Sequence, residues 1–178
     1  YYGVHRDNTQ SYHYYMHMQL FNHIDIRKCN ILLPNGTTSD PIAEAKNYEK
    51  KITDLGGIDL WIIGIGSNGH IAFNEPGSSR KSRTRLVNLS DTTIAENSRF
   101  FDKIIDVPTQ AITVGIATIM EARKILLLAT GKNKSRAINA ALNEPIGPHC
   151  PASFLRQHPD CTFLVDEAAA KLCKSDFS

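Results

Sequence analysis

Five short apolar runs punctuate the chain: DLWIIGI (59–65), RTRLVNL (83–89), AITVG (111–115), KILLLAT (124–130) and CTFLVD (161–166). Continuous apolar runs of this length predict strands of a parallel sheet buried on both sides. Helix-like stretches lie between and after them, near 92–100, 117–122, 132–142 and 167–173. Upstream, SYHYYMHMQLFN (11–22) reads as an aromatic-rich helix, followed by a short apolar run at 30–33 and a Pro-Asn-Gly turn. Asp40 then sits at the N-cap of a helix with Pro41 in its first position. Ile42, Ala45, Tyr48, Ile52 and Leu55 fall on one face of that helix before Gly56-Gly57 stops it. Strands alternating with helices predict an α/β fold, a Rossmann-like, mostly parallel sheet with helices on both faces. No repeat, low-complexity tract or linker divides it, so residues 1–178 are expected to form a single α/β domain.

Composition narrows the function classes. A chain of 178 residues with 42% hydrophobic and 21% charged content is long enough for one sizeable core. The net charge is +2 and the basic residues are scattered, which predicts neither a nucleic-acid nor a membrane-surface partner. No apolar run approaches the roughly 18 to 20 residues of a membrane span, so a soluble, cytoplasmic protein is expected. Cys29, Cys150, Cys161 and Cys173 contain no C-x-x-C pair and are expected to be reduced thiols. His149, Cys150, His158 and Cys161 cluster, but their spacing fits no common zinc pattern, and Pro148, Pro151 and Pro159 point to an irregular connector.

The stretch IIGIGSNGHIAFNEPGSS (62–79) carries the candidate chemistry. Gly64, Gly66 and Gly69 spell G-x-G-x-x-G after a strand, the pattern of a dinucleotide-binding turn. That turn must open into a long helix whose N-terminus holds phosphate. Here Pro76 and Gly77 follow within eight residues of Gly69, so the helix is not expected and neither is the cofactor. The other reading is catalytic: His70 follows a tight glycine turn at a strand end, Glu75 lies five residues on and Asn68 two before. A histidine with a nearby carboxylate is a proton shuttle near neutral pH. On spacing alone, a histidine satisfied by a local backbone carbonyl, with Glu75 in solvent, stands equally open. Ser67 is not a hydrolase nucleophile, because G-x-S-x-G is absent.

GHIAFNEPGSS, SRTR at 82–85, ENSRFF at 96–101, AITVGIATIMEA and GKNKSRAI occur in order, and with them the chain resembles the glucosamine-6-phosphate isomerase/deaminase family along essentially its whole length. The related phosphogluconolactonases share that fold but differ after their G-H and are a poorer match. The resemblance implies an enzyme that isomerises an amino-sugar phosphate and hydrolytically removes its ammonia, with no metal or organic cofactor. It implies that His70 opens the pyranose ring, that Glu75 supports that histidine, and that Asn68 occupies a position often held by aspartate. A neutral amide there orients the imidazole but stabilises an imidazolium less than a carboxylate would.

The resemblance further assigns Arg99 and Lys134 to the substrate phosphate, where a guanidinium offers paired donors and an ammonium a point charge. It places Ser78 and Arg85 in an effector site for an acetylated sugar phosphate, in which a family lysine is replaced by Val87. Activation is therefore expected to be weak. A homo-oligomer, hexameric in part of the family, is implied as well. Family members also carry a glycine- and threonine-rich phosphate loop and an M-D-E-Y segment whose aspartate is the enolisation base. Tyr1 matches the tyrosine of that segment, so roughly the first quarter of the family's length, with the base and the loop, is absent from this sequence. The alternative reading is an inactive sugar-phosphate-binding or regulatory fragment.

Overall fold

A computed structural model of the chain describes residues 1–98, 101 and 106–173. In chain order the elements are α1 (Tyr12–Gln19), α2 (Pro41–Asp54), β1 (Leu60–Gly64), β2 (Arg85–Asn88), α3 (Asp91–Asn97), β3 (Gln110–Thr113), α4 (Ile116–Met120), β4 (Lys124–Ala129), α5 (Ser135–Asn143), β5 (Cys161–Val165) and α6 (Glu167–Ala170). The chain divides into two compact units, Tyr1–Tyr48 with Arg85–Ile112 and Glu49–Thr84 with Thr113–Ser178.

The helix boundaries follow from local chemistry. Asp40 Oδ1 accepts the N–H groups of Ile42 at 3.1 Å and Ala43 at 2.9 Å, capping α2 as its sequence predicts. Ser11, Ser90 and Asp166 do the same for α1, α3 and α6. On the expected apolar face of α2, Ala45 is buried and Tyr48 and Ile52 are half-buried, while Ile42 and Leu55 stay exposed. The apolar run at 30–33 forms no strand; a 3-10 turn, Lys28–Asn30, leads into it.

In the second unit β1, β4 and β5 form a parallel sheet with β4 in the centre. The register runs Ile63↔Leu127↔Phe163, so the three strands end together. Ile63, Ile125, Leu127 and Ala129 pack with Ile119 of α4, Ile138 and Ala141 of α5 and Ala169 of α6, so helices flank the sheet. A mostly parallel α/β fold was the expectation, and the sheet bears it out. β2 and β3, however, pair in a sheet of their own instead of extending the parallel one. R-L-V-N and Q-A-I-T mix polar and apolar residues, whereas the parallel strands, expected to be buried on both sides, leave Ile62, Leu128 and Leu164 exposed on one of them.

Leu127 is fully buried on the central strand. Leu127→Ala is expected to destabilise the protein by about 2 to 5 kcal/mol, through lost transfer energy and the cavity left behind. A shift of the urea midpoint, with an unchanged slope, is the measurement that checks it.

Candidate active site

The loop leaving β1 is a tight turn followed by a reversal. Gly66 N–H donates to His70 O at 2.9 Å and Gly69 N–H to Gly66 O at 3.0 Å. Gly69 has φ +86°, a left-handed conformation that glycine adopts without steric cost. The chain then turns back between Ile71 and Asn74, which form an antiparallel bridge, and Asn74 N–H reaches Ile71 O at 3.0 Å. No helix opens at Gly69, the next element being β2, so the phosphate cradle of a dinucleotide turn is not built here. The reversal brings Glu75 back toward His70.

Asn68 joins the two. Its Oδ1 accepts from the His70 backbone N–H at 3.2 Å and lies 2.8 Å from His70 Nδ1, while its Nδ2 donates to Glu75 Oε2 at 2.8 Å. Flipping the amide would aim its oxygen at the carboxylate and its NH₂ at a backbone N–H, so Glu75 fixes the orientation of Asn68. Asn68 in turn fixes the tautomer of His70. Nδ1 carries the proton, and Nε2 is left to gain and lose one while the Nδ1 contact stays the same in both states. Glu75 Oε2 lies 3.6 Å from Nδ1. Side-chain exposure is 16% for His70 and 14% for Glu75, so the pair is shielded yet reachable. His158 shows the opposite arrangement. It is buried, its Nε2 donates to Ala122 O at 2.8 Å, and its Nδ1 accepts from Asp160 N–H at 3.0 Å. Both of its nitrogens are consumed by structure.

The ring of His70 lies directly against Gly66, where a Cβ would come within 2.2 Å of Cε1. Glycine is required there by the close approach of the imidazole, not by a bound pyrophosphate.

Residues 3–164 match the family of glucosamine-6-phosphate isomerases and 6-phosphogluconolactonases. The chain belongs to that family. A glucosamine-6-phosphate deaminase of Clostridium botulinum (strain Langeland) is 53% identical over 173 residues, covering 97% of this chain and 71% of its own length. One from Rhodopirellula baltica is 51% identical over 172 residues, covering 97% of this chain and 68% of its own. A solved structure described as a monomeric glucosamine-6-phosphate deaminase superposes with a TM-score of 0.94 at 45% identity, covering 97% of this chain and 71% of its own.

Within this isomerase family chain, Lys134 lies at the end of a 3-10 turn, Lys132–Lys134, that runs into α5. That turn follows β4 as the His70 loop follows β1. Because β1 and β4 are parallel neighbours, both loops leave the same end of the sheet, the end at which such folds bind ligands. Asp166, at the end of β5, accepts the Gly131 N–H at 3.0 Å with each carboxylate oxygen and steadies the lysine-bearing turn. Arg99 lies outside the described residues. Ser78 closes the turn after Glu75, its N–H donating to Glu75 O at 3.0 Å. Arg85 and Val87 are half-buried on β2, and burial lowers the Arg85 pKa from its ordinary value.

Sequence reasoning missed several supports of the site. Ala152 N–H donates to Gly69 O at 3.0 Å, Gly77 N–H donates to Pro148 O at 2.7 Å, and the buried Cys150 thiol packs against Gly69. The segment Pro148–Ala152, with Cys150 of that cluster, thus braces the turn that carries His70. Among the described residues no group of three or more His, Cys, Asp or Glu side chains is placed to hold a metal ion. None of the described helices is long and apolar enough to cross a membrane.

Proposed function

We infer that this protein isomerises and deaminates glucosamine 6-phosphate, taking up one water and releasing fructose 6-phosphate and ammonia. The observation that carries this reading is the chain from Glu75 through Asn68 to Nδ1 of His70, which leaves Nε2 poised to exchange a proton. Relatives named glucosamine-6-phosphate deaminase, 53% and 51% identical, support the choice of substrate.

In this reading neutral His70 accepts the proton of the anomeric hydroxyl at Nε2 and delivers it to the ring oxygen as the C1–O5 bond breaks. The open aldehyde results, and His70 is neutral again. Asn68 keeps the imidazole in plane, and Glu75 offsets the transient positive charge. Transfer of the C2 proton to C1 then needs a second base, which members of the family carry in their M-D-E-Y segment. The resulting ketimine is hydrolysed, and nitrogen leaves as ammonia. Arg99 and Lys134 are assigned to the phosphate. Ser78 and Arg85 are assigned to an effector site that Val87 leaves without its lysine. The enzyme is placed in the cytoplasm, and a homo-oligomer remains part of the proposal, to be read from the protein's mass in solution.

The test is to supply the full-length protein with glucosamine 6-phosphate and to measure ammonia and fructose 6-phosphate together. Equal amounts of both, appearing at the same rate, are expected. Hydrolysis of 6-phosphogluconolactone without ammonia release from the amino sugar would overturn the reading in favour of the family's other activity.

A further inference from the structure

Ala72 has φ +49°, and it is the only non-glycine residue among those described with a positive φ. Backbone strain of this kind persists only where the surroundings enforce it, and it tends to mark functional sites. Here the enforcing groups are visible. On one side of Ala72, the next residue, Phe73, donates its N–H to Thr113 Oγ1 at 3.1 Å. Asn74, fully buried, donates its side-chain amide to Ile71 O at 3.0 Å and to Val114 O at 2.8 Å. Thr113 is 4% exposed and ends β3, forty positions from Phe73. Its hydroxyl also lies 3.2 Å from Val114 O, so it accepts from Phe73 and donates to Val114. Glu75 is the next residue after Asn74. Relaxation of Ala72 toward an ordinary φ would therefore pull on Phe73 and Asn74 and displace Glu75 after them, and with it the amide that sets the tautomer of His70.

We propose that Thr113 is a positioning residue for the proton shuttle: its hydroxyl holds the strained Ile71–Asn74 reversal closed and thereby places Glu75 against Asn68 and His70. The proposal rests on the reading of His70, Asn68 and Glu75 as that shuttle. Nothing in the sequence marks Thr113, which lies in an apolar run that reads only as a strand.

Two substitutions separate the hydroxyl from the shape. Thr113→Val keeps the volume and removes the hydrogen bonds, and Thr113→Ser keeps the hydroxyl. In the full-length enzyme, Thr113→Val is expected to lower kcat for glucosamine 6-phosphate by about tenfold with KM within about twofold, because orientation and not phosphate binding is lost. Thr113→Ser is expected to restore most of the rate. In a Glu75→Gln background, Thr113→Val is expected to cost less than about twofold more, since the group that it positions has already been disabled. An equal loss in both backgrounds, an unchanged kcat in Thr113→Val, or no rescue by Thr113→Ser would overturn the proposal.

Two readouts need no substrate and so remain informative if the substrate assignment fails. The His70 imidazole is expected to give a nitrogen-15 signal of the Nδ1–H tautomer in the unaltered protein and in Thr113→Ser, and a mixture of tautomers in Thr113→Val. Should Thr113→Val not fold, the Phe73 amide of the unaltered protein decides. Exchange slowed by about 100-fold or more supports the clamp, and exchange at the open-chain rate overturns it.

Discussion

Turnover of glucosamine 6-phosphate by His70→Asn is expected to fall by roughly 10²- to 10⁴-fold, the range over which positioned acid–base groups contribute. Asparagine can keep a hydrogen bond toward Asn68 and nearly the volume of the ring, so the protein is expected to fold with a thermal midpoint close to the original. What it cannot do is bind a proton at one atom and release it at another site on the sugar. Half of the machinery, the Asn68–Glu75 contact at 2.8 Å, survives the change. KM is expected to change little, because the phosphate is assigned to Arg99 and Lys134. Steady-state ammonia release by the folded variant checks this, and a kcat within a factor of three of the original would contradict the role given to His70.

Gly66→Ala is expected to cost about 100-fold in kcat, although it adds a single methyl group. A Cβ at Gly66 would lie 2.2 Å from Cε1, 2.3 Å from Nδ1 and 2.6 Å from Nε2 of His70, so the ring must leave its place. A displacement near 1 Å at a reacting group costs on the order of 10²-fold. Gly64, two residues earlier in the same glycine pattern, makes the control. A Cβ there meets only Leu128 O, at 4.0 Å, so Gly64→Ala is expected to keep kcat within about twofold. Parallel kinetics and thermal melts of the two variants check the contrast. If Gly66→Ala retained full activity, the imidazole would not be working from the position described.

The strands were legible because their apolar runs are short, continuous and bounded by turn residues. β1, β4 and β5 fall inside DLWIIGI, KILLLAT and CTFLVD. The cap of α2 was legible too, since Asp40-Pro41 combines an N-cap acceptor with a residue that needs no donor. The partnership of β2 with β3 was not, because a period of apolar residues says nothing of which strand pairs with which. At the site, proximity of His70, Asn68 and Glu75 could be suspected from spacing, but the direction of the Asn68 amide depends on a reversal at Ala72 that no residue type announces. Thr113, Asp166 and the Gly147–Ser153 turn act from at least 35 positions away in sequence, and contacts of that range leave no local pattern. The glycine fingerprint misleads for a related reason: a glycine needed for a close ring contact looks the same in sequence as one needed for a phosphate.

The central claim is that the His70–Asn68–Glu75 constellation moves the protons that open the sugar ring. The most direct test compares the unaltered enzyme with His70→Asn on two substrates, glucosamine 6-phosphate and its analogue lacking the C4 and C5 hydroxyls, which closes neither a furanose nor a pyranose ring. The measured quantity is the ratio of kcat/KM between the two enzymes on each substrate. The account predicts a loss on glucosamine 6-phosphate at least about 30-fold greater than on the open analogue, equivalent to about 2 kcal/mol of ring-opening barrier. An equal loss on both substrates would contradict it and would assign His70 to a step after the ring has opened.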